Sequence, residues 1–489
     1  MLVRPIRLAL VTLFAPITLA GCLPSIEASR TDLAVPTSFT ASEGNYPALD
    51  RDWAVLFRSG ELSRLIHTAN ENNLDLAAAI SRIMQAEALS ATARAQRMPT
   101  LDTSASAQRA ATPGTLSSES APFTTSVSNQ FGVGLTASYT LDVWGRYRSL
   151  EQAARAGAEA SAFDKEALAI SISSTTATTY FNVLAAKDRL SLQRENIALA
   201  SRILEAIKAR LSVGTASALD VAEQESVVAT QKAAVPQLEQ QIAQGTNQLA
   251  VLLGRPPEGF TVSAKGLNAL TIPLVKAGLP STLLLQRPDI AAAEANLRAA
   301  EANIEAAQAA YLPSFDLTIK GGTESRALQN MLLPDAAFGS GLTSLAAPIF
   351  DGGTLDANLA KQKGRRSELV ATYQKTILSA FSDVENALIA TRQNRLQEEL
   401  QAEAVAAAKR AYAISEERLR AGTIDIVTLL TVQQNLFQAQ AALIQSRLNR
   451  LHAALALIQA VGGGFVVADN AALHSRIQMS DPAKRAPIQ

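Results

Sequence analysis

Apolar residues recur every seven positions over several long stretches of the chain. Sustained heptads predict helices that supercoil on their neighbours. Two long helices are expected, over residues 148–211 and 355–420, with a length of about 95 Å. Shorter helices are expected over 61–97, 216–253, 289–311 and 425–460. The clearest heptads are Val183, Leu190, Ile197, Leu204, Leu211; Val221, Val228, Val235, Ile242, Leu249; and Leu430, Phe437, Ile444, Leu451, Ile458.

A second pattern, of period two, predicts β-strands with one apolar face. From Phe131 to Asp142 and from Ser314 to Lys320, apolar and small or polar side chains alternate. Residues 100–109 and 338–350 fit the pattern less well. Four strands are too few for a transmembrane barrel, and open edges cannot lie in lipid. We therefore expect further copies of the chain to complete the sheet; the alternative is a small sheet packed on helices in a soluble domain.

The order of these elements occurs twice, with a spacing of about 208 residues. Arg210-Leu211-Ser212-Val213-Gly214-Thr215 returns as Arg418-Leu419-Arg420-Ala421-Gly422-Thr423. We divide the chain into a signal peptide (1–21), an N-terminal segment (22–60), repeat 1 (61–253), a belt segment (254–288), repeat 2 (289–461) and a C-terminal belt segment (462–489). Gly214 and Gly422 are predicted to end helices at tight hairpin turns.

The N-terminus has the features of a secreted lipoprotein. A short basic region is followed by an apolar stretch of signal-peptide length, which ends in Leu19-Ala20-Gly21-Cys22. This sequence resembles a bacterial lipobox, which would make Cys22 the acylated mature N-terminus. The alternative is a chance cysteine behind another cleavage site. Leu23 follows the cysteine where an aspartate would retain a lipoprotein in the inner membrane, so we expect an outer-membrane location.

Composition removes several classes of function. Lys+Arg and Asp+Glu both number 44, so no net charge attracts nucleic acid. Cys22 is the single cysteine, which excludes intrachain disulfides, and the three histidines lack ligand spacing. No nucleophile, base or phosphate-binding loop forms a catalytic pattern. We expect neither an enzyme nor a bound cofactor or metal, apart from the lipid on Cys22.

The chain resembles the outer-membrane efflux lipoproteins of the TolC/OprM family, in the NodT-type branch. The resemblance covers nearly the whole chain and rests on the order of several short motifs. These are the lipobox, Asn73-Leu74-Asp75-Leu76, Leu141-Asp142-Val143-Trp144-Gly145-Arg146, Arg287-Pro288-Asp289-Ile290, Phe350-Asp351-Gly352-Gly353 and the two Arg-Leu-x-x-Gly-Thr turns.

The resemblance implies a mainly α-helical protein with a small membrane β-barrel. Three chains would form a twelve-stranded barrel in the outer membrane of a Gram-negative bacterium and a long coiled-coil tunnel through the periplasm. The implied function is the passive exit channel of a tripartite pump. Its partners would be a periplasmic adaptor (a membrane fusion protein) and an inner-membrane pump, most simply of the RND type. The alternatives are the duct of a type I protein secretion system and a periplasmic coiled-coil adaptor or scaffold.

The candidate entrance is at the hairpin turns. Related channels often close this end with aspartates on the helix after the second turn, but the matching positions here are Thr428 and Thr431. Acids near the turns, Asp220, Glu223 and Asp425, could line the entrance instead. The alternative is that they are solvated residues near helix N-termini, where acids are favoured in any case.

Overall fold

The computed structural model describes residues 39, 49–112, 125–273, 275 and 280–466. Cys22 and the lipobox lie outside these residues, as does most of the C-terminal belt segment. In repeat 1 the elements are α1 (Gly60–Asn72), α2 (Leu74–Ala95), β1 (Thr100–Thr112), β2 (Ser126–Leu141), α3 (Arg146–Ser212) and α4 (Ala218–Leu252). In repeat 2 they are α5 (Pro280–Gln286), α6 (Pro288–Ala309), β3 (Ser314–Ser325), β4 (Ala337–Ala346), α7 (Thr354–Arg420) and α8 (Ile426–Ala460).

Three pairs of corresponding helices have equal lengths, whereas α1 has 13 residues and α5 has 7. The long helices α3 and α7 have 67 residues each, α4 and α8 have 35, and α2 and α6 have 22. At about 1.5 Å per residue the long helices extend for about 100 Å. Among the described residues, no helix combines the length and apolar character needed to cross a bilayer.

The long helices begin in the same way. Asp142 precedes α3, and its carboxylate accepts hydrogen bonds from the backbone amides of Tyr147 (3.0 Å) and Arg148 (2.8 Å). Asp351 precedes α7 and accepts from the amides of Gly353 (2.9 Å) and Leu355 (2.6 Å). Each carboxylate satisfies helix N–H groups that have no intrahelical partner. The Asp-Gly motifs therefore mark the change from strand to long helix.

The four described strands form one antiparallel sheet in the order β1-β2-β3-β4. Phe131, Val133 and Leu135 lie opposite Ala107, Ala105 and Thr103 of β1. The same face continues onto β3, where Ile319 lies opposite Ala137 and Leu317 opposite Tyr139. Glycines and polar residues occupy the other face of β2, with Thr136 between Asp102 and Lys320.

Strand β4 departs from this division of the faces. Phe338 and Leu342 lie opposite Gly322 and Thr318, on the polar face of β3, and Leu345 lies opposite Phe315 on the apolar face. The strand also ends at Ala346, before Phe350. These two facts explain why residues 338–350 fitted the alternating pattern poorly.

One predicted helix, over residues 61–97, is interrupted at Asn73. The backbone of Asn73 is extended, and its side-chain oxygen caps α2 by accepting from the amides of Asp75 (2.9 Å) and Leu76 (3.2 Å). Its Nδ2 donates to the carbonyl of Leu252, the last residue of α4 (3.0 Å). The continuous helix was therefore a wrong prediction, because the break depends on this contact with another helix.

Repeat 2 contains the same joint with different chemistry. Arg287 lies between α5 and α6, and its Nη1 donates to the carbonyl of Ala460, the last residue of α8 (3.0 Å). Gly254 and Gly462 follow the ends of α4 and α8 with φ of 65° and 91°. A Cβ on either would overlap a backbone carbonyl oxygen, that of Asn72 or of Gln286. These contacts define the equatorial joint, where short helices end beside the middle of the long ones.

The main hydrophobic core lies at this level. The aromatic rings, scarce in the chain, concentrate here: the Phe57 and Phe181 centroids are 5.3 Å apart, and Trp53 packs edge-on against Phe57 at 6.1 Å. Leu267 and Leu270 of the belt segment join the same core as Leu249 and Leu451 of the helices. The core thus attaches the belt segment to the helices.

Polar side chains also hold the belt segment. Glu61 of α1 accepts hydrogen bonds from the amides of Ser263 (2.6 Å) and Ala264 (2.9 Å) and from the hydroxyl of Tyr180 (2.9 Å). Burial raises the pKa of Glu61, but these hydrogen bonds outweigh it and the pKa is lowered overall. Asp188 of α3 accepts from the amide of Leu267 at 2.8 Å. The joint and the belt contacts lie near the middle of the long helices, away from the hairpin turns.

Candidate entrance site at the hairpin turns

The turns after α3 and α7 share one backbone geometry. Gly214 and Gly422 have φ of 77° and 71°, a region that favours glycine. Their amides donate to the carbonyls of Leu211 (2.9 Å) and Leu419 (3.1 Å). The amides of the following threonines donate to the carbonyls of Arg210 and Arg418, both at 2.9 Å. This is the Schellman arrangement, so the prediction of glycine turns is confirmed.

The threonine hydroxyls complete the turns. The Oγ1 atoms of Thr215 and Thr423 donate to the carbonyls of Arg210 and Arg418, each at 3.1 Å. The last carbonyls of each long helix thereby gain partners that the helix cannot supply. The glycine and the threonine of the Arg-Leu-x-x-Gly-Thr sequence therefore have a structural role, because together they end the helix within two residues.

Two of the predicted entrance acids cap the helices that follow. Ser217 and Asp220 form a capping box: the Ser217 hydroxyl accepts from the Asp220 amide (3.1 Å), and Asp220 accepts from the Ser217 amide (2.7 Å). Asp425 caps α8 by accepting from the amide of Thr428 at 2.8 Å. Hydrogen bonds from Thr428 lower the pKa of Asp425. Helix capping, the simpler alternative, thus accounts for both positions.

The remaining candidates lie on the first turns of the same helices. Glu223 is half-buried, one turn after the start of α4. Thr428 and Thr431 are exposed on α8, and the Thr431 hydroxyl donates to the carbonyl of Val427 at 2.9 Å. The structure thus places all five residues within two turns of a hairpin. A ring of such residues needs more than one chain.

The two hairpins are held side by side. The Arg210 guanidinium donates to the carbonyl of Leu419 at 3.4 Å, which links the end of α3 to the end of α7. Behind this contact is a cluster of buried side chains from three helices. Its members are Ile203 and Ile207 of α3, Tyr412 of α7, and Leu429 and Leu436 of α8. These contacts hold the two turns together.

Tyr412 was missed by the sequence analysis. Its ring is buried, and its hydroxyl has no hydrogen-bond partner among the described residues. Burial, together with the nearby Glu416, raises the pKa of Tyr412 to about 12, against the opposing charges of Arg202 and Arg420. The signal available in the sequence was an aromatic residue on a helix of a chain poor in aromatics.

A cleft of about 390 Å³ opens between the hairpins beside Tyr412. Arginines contribute most of its charge: Arg202, Arg210 and Arg420 line it together with a single acid, Glu416. Apolar side chains from α3, α7 and α8 form the rest of the wall. The cleft offers a basic and apolar surface beside the turns. Among the described residues, no group of three or more His, Cys, Asp or Glu is placed to hold a metal ion.

The duplicated helices, the four-stranded sheet and the paired turns can be compared with known proteins. The family model for outer membrane efflux proteins matches residues 65–255 and 279–463. The chain belongs to the outer membrane efflux protein family. It is an outer-membrane channel protein of a Gram-negative bacterium and acts in an efflux pump.

Individual relatives agree with this assignment. The pyoverdine export outer membrane protein OpmQ of Pseudomonas putida is 36% identical over 418 residues, which cover 85% of this chain and 88% of that protein. The toluene efflux pump outer membrane protein TtgF of Pseudomonas putida is 34% identical over 426 residues, 86% of this chain and 87% of that protein. Both matches extend over most of each chain.

A solved structure supports the fold. The CmeC outer membrane channel of Campylobacter jejuni superposes with a TM-score of 0.82 at 25% identity, covering 93% of this chain and 99% of that one. The predicted fold class, a long helical tunnel with four strands that contribute to a membrane β-barrel, is confirmed. The apolar face of the sheet is accordingly its lipid side, and the polar face lines the lumen.

Proposed function

We propose that three copies of this chain form a passive duct. The duct would receive small molecules from a periplasmic adaptor and an RND-type inner-membrane pump and release them outside the cell. The observation that carries the proposal is the four-stranded sheet, whose outer strands β1 and β4 each have one edge without a partner among the described strands. A barrel with open edges cannot lie in lipid, so neighbouring copies must pair with both edges.

A second surface supports assembly of copies. Apolar side chains form a stripe along α7 at heptad-like spacing, and in one chain they are exposed. They are Ile389, Leu396, Leu400 and Ile414. Helix α7 is the next element after β4, so the open edge of β4 and the apolar stripe lie on consecutive elements of one chain. A neighbouring copy that pairs with β4 can therefore cover the stripe as well.

The proposed mechanism involves no bond chemistry. Conduction requires the hairpin ends to separate, and the contacts between Arg210 and Leu419 and around Tyr412 determine the cost of that movement. The basic cleft between the hairpins suits the docking of an adaptor segment with acidic and apolar side chains. The energy for transport would come from the inner-membrane partner.

A reconstitution in cells tests the function. A Gram-negative strain that lacks its own efflux channels receives this chain together with a matching adaptor and pump. Accumulation of a fluorescent pump substrate is expected to fall only when all three proteins are present. Among the relatives, one is named for pyoverdine export and another for toluene efflux, so a siderophore and an organic solvent are the first substrates to compare. Export of a protein substrate without small-molecule efflux would instead indicate type I secretion.

We also propose that Cys22 is acylated after removal of residues 1–21. The support is the lipobox and the absence of any other cysteine in the sequence. Mass spectrometry of the purified protein should find added acyl mass on a chain that begins at Cys22. The Cys22→Ser variant is expected to insert still, because the barrel provides most of the hold on the membrane. An unmodified N-terminus elsewhere would contradict the proposal.

The entrance residues lead to a proposal about selectivity. In a trimer six hairpins would converge, and Asp220, Glu223 and Asp425 would make the mouth prefer cations, since rings of charge set channel selectivity. With threonines at 428 and 431, divalent cations should block the channel weakly. The Asp425→Asn variant keeps a good helix cap and loses only the charge, so it isolates the electrostatic effect.

Single-channel recording in planar bilayers tests this selectivity. Asp425→Asn is expected to reduce cation preference, and Thr431→Asp is expected to increase block by divalent ions added from the turn side. Asp75→Asn at the start of α2, far from the turns along the chain, is the control for loss of one acid. If neither entrance variant differs from this control, the constriction lies elsewhere.

A further inference from the structure

Arginines gather where the sheet of repeat 1 meets its helices. Glu151 in the second turn of α3 is 4% exposed and pairs with Arg97 (2.5 Å) and Arg155 (2.7 Å). Arg94 also interacts electrostatically with this carboxylate. Arg148 lies three residues before Glu151, on the same side of α3. The arginine cluster comprises Arg94, Arg97, Arg148 and Arg155.

Positive charge exceeds negative charge in this cluster. Arg94, Arg97 and Arg155 act on Glu151, which is buried, while Asp142 uses both oxygens to accept backbone amides of α3. A third acid, Glu305 of α6, accepts from the hydroxyl of Ser149, so four arginines stand against three acids. Arg94, Arg148 and Arg155 are exposed. Glu151 thus orients two of the guanidinium groups without neutralising the cluster. The surface that remains is suited to an anion with several oxygens, because guanidinium donors match phosphate geometry.

The cluster borders the membrane-facing part of the chain. Arg97 lies three residues before the start of β1, and α3 starts shortly after β2. Exposed apolar side chains lie between the arginines and the strands: Met98, Val143 and Trp144. The Trp144 indole is held by a hydrogen bond from Nε1 to the carbonyl of Pro313 (2.7 Å). Tryptophan beside basic residues at the end of a membrane segment is the composition found at the lipid headgroup level.

Repeat 2 shows that the fold does not require this charge. The positions of Arg97 and Arg148 correspond there to Tyr311 and Asp356, and the Tyr311 hydroxyl donates to Asp356 at 2.7 Å. A pair that contains no cation, and that carries only the negative charge of Asp356, therefore closes the same junction. The arginines of repeat 1 need another explanation.

We propose that the arginine cluster binds the phosphate of an anionic phospholipid in the periplasmic leaflet of the outer membrane. The acyl chains of this lipid would lie along Met98, Val143 and Trp144, continuous with the apolar face of the sheet. One such lipid per chain would fix the depth of the barrel in the bilayer. Charge complementarity and continuity with the lipid side of the strands identify a lipid as the occupant.

Tryptophan fluorescence can measure this binding directly. The chain has two tryptophans, and Trp53 is only 4% exposed, so Trp53→Phe leaves Trp144 as the reporter. The full-length protein is reconstituted in phosphatidylcholine vesicles that contain a minor fraction of brominated lipid. The brominated lipid is either phosphatidylglycerol or, at the same mole fraction, phosphatidylcholine. Selective binding predicts about twofold or stronger quenching by phosphatidylglycerol, reduced at high salt.

Matched variants separate the cluster from general surface charge. Arg94→Gln with Arg148→Gln spares the two arginines that hold Glu151 and is expected to make quenching by the two lipids equal. Lys361→Gln with Lys363→Gln removes the same charge near the start of α7 and is expected to preserve the difference. Equal quenching in the Trp53→Phe protein, no quenching by either lipid, or an equal effect of both double variants would each overturn the proposal. Unchanged circular dichroism and assembly size confirm that the variants fold.

Discussion

Single glycines hold the equatorial joint together. Gly254 and Gly462 have positive φ, and their Cα atoms face the carbonyls of Asn72 and Gln286 so closely that a Cβ would overlap them. The joint therefore tolerates no side chain at either position. At each position glycine is needed for two reasons, the positive φ and the lack of space for a Cβ.

Gly254→Ala is predicted to destabilise the protein by more than about 2 kcal/mol, because strain at positive φ adds to the overlap with a backbone atom. Gly259 provides the control: its φ is 76°, but nothing lies within 4 Å of the added Cβ. Gly259→Ala should cost only about 1 kcal/mol. Thermal unfolding in detergent compares the two. Equal losses would mean that the joint relaxes freely.

Glu61 predicts a pH dependence at the residue scale. Its pKa in the folded protein lies below the ordinary value of 4.5, so the folded state binds the proton more weakly than the unfolded chain does. Its stabilising contribution is complete above about pH 4.5 and is lost as the pH falls through the lower, folded value. Amide hydrogen exchange at Ser263 and Ala264, corrected for intrinsic rates, should show protection decreasing over this range.

Glu61→Gln should lower this protection at neutral pH and remove its acid dependence. Asp188 cannot produce the same effect, because burial raises its pKa, against the hydrogen bond from Leu267, and its contribution changes with the opposite sign. If the Glu61→Gln variant still loses amide protection as the pH falls, a group other than Glu61 causes that loss.

At the scale of elements, the sequence predicted what repeats along the chain. The predicted ends of the long helices lie within two residues of those observed, because a periodic pattern accumulates evidence along 67 residues, or about 19 turns. The break at Asn73 was missed, since the adjoining sequence is helical and the cause lies in Leu252, far along the chain. In β4 the sequence showed only weak alternation. It did not predict which apolar side chains lie on the polar face of the sheet, because register depends on the partner strand.

Strand β3 offers a test of the two faces of the sheet. Ile319→Lys places a charge on the lipid side and should cost about 2–4 kcal/mol if the residue lies near the bilayer midplane. Thr318→Lys, one residue away on the lumen side, should cost much less. Urea unfolding in lipid vesicles measures both. Similar costs would mean that the assignment of the faces is wrong.

For the whole molecule, the sequence predicted acids close to the two turns but not the packing of side chains around them. Asp220 and Asp425 were recognised as acids near turns, and capping was foreseen as the alternative. Their bonds to Ser217 and Thr428 show that helix capping accounts for both acids in the single chain. Tyr412 and the cleft beside it were missed, because they depend on the packing of α3, α7 and α8.

Assembly supplies a prediction at this scale. Leu396→Glu puts a charge into the exposed apolar stripe of α7 and should prevent trimer formation, because burying an unpaired carboxylate is costly. Gln397→Glu introduces the same charge at the adjacent exposed position and should leave the trimer intact. Light scattering of detergent-solubilised protein distinguishes one, two and three chains. A trimer of the Leu396→Glu protein would show that the stripe does not contact another copy.

The equatorial joint also shows how the two repeats differ. A gene duplication copied one unit, and at the position where its helices meet, one copy now has Asn73 and the other Arg287. The two side chains differ in size, charge and capping ability, yet each donates to the final carbonyl of the corresponding helix. The same hydrogen bond is therefore made by two different donors. The two halves of the chain thus differ in the donor side chain and agree in the acceptor, the last carbonyl of the helix.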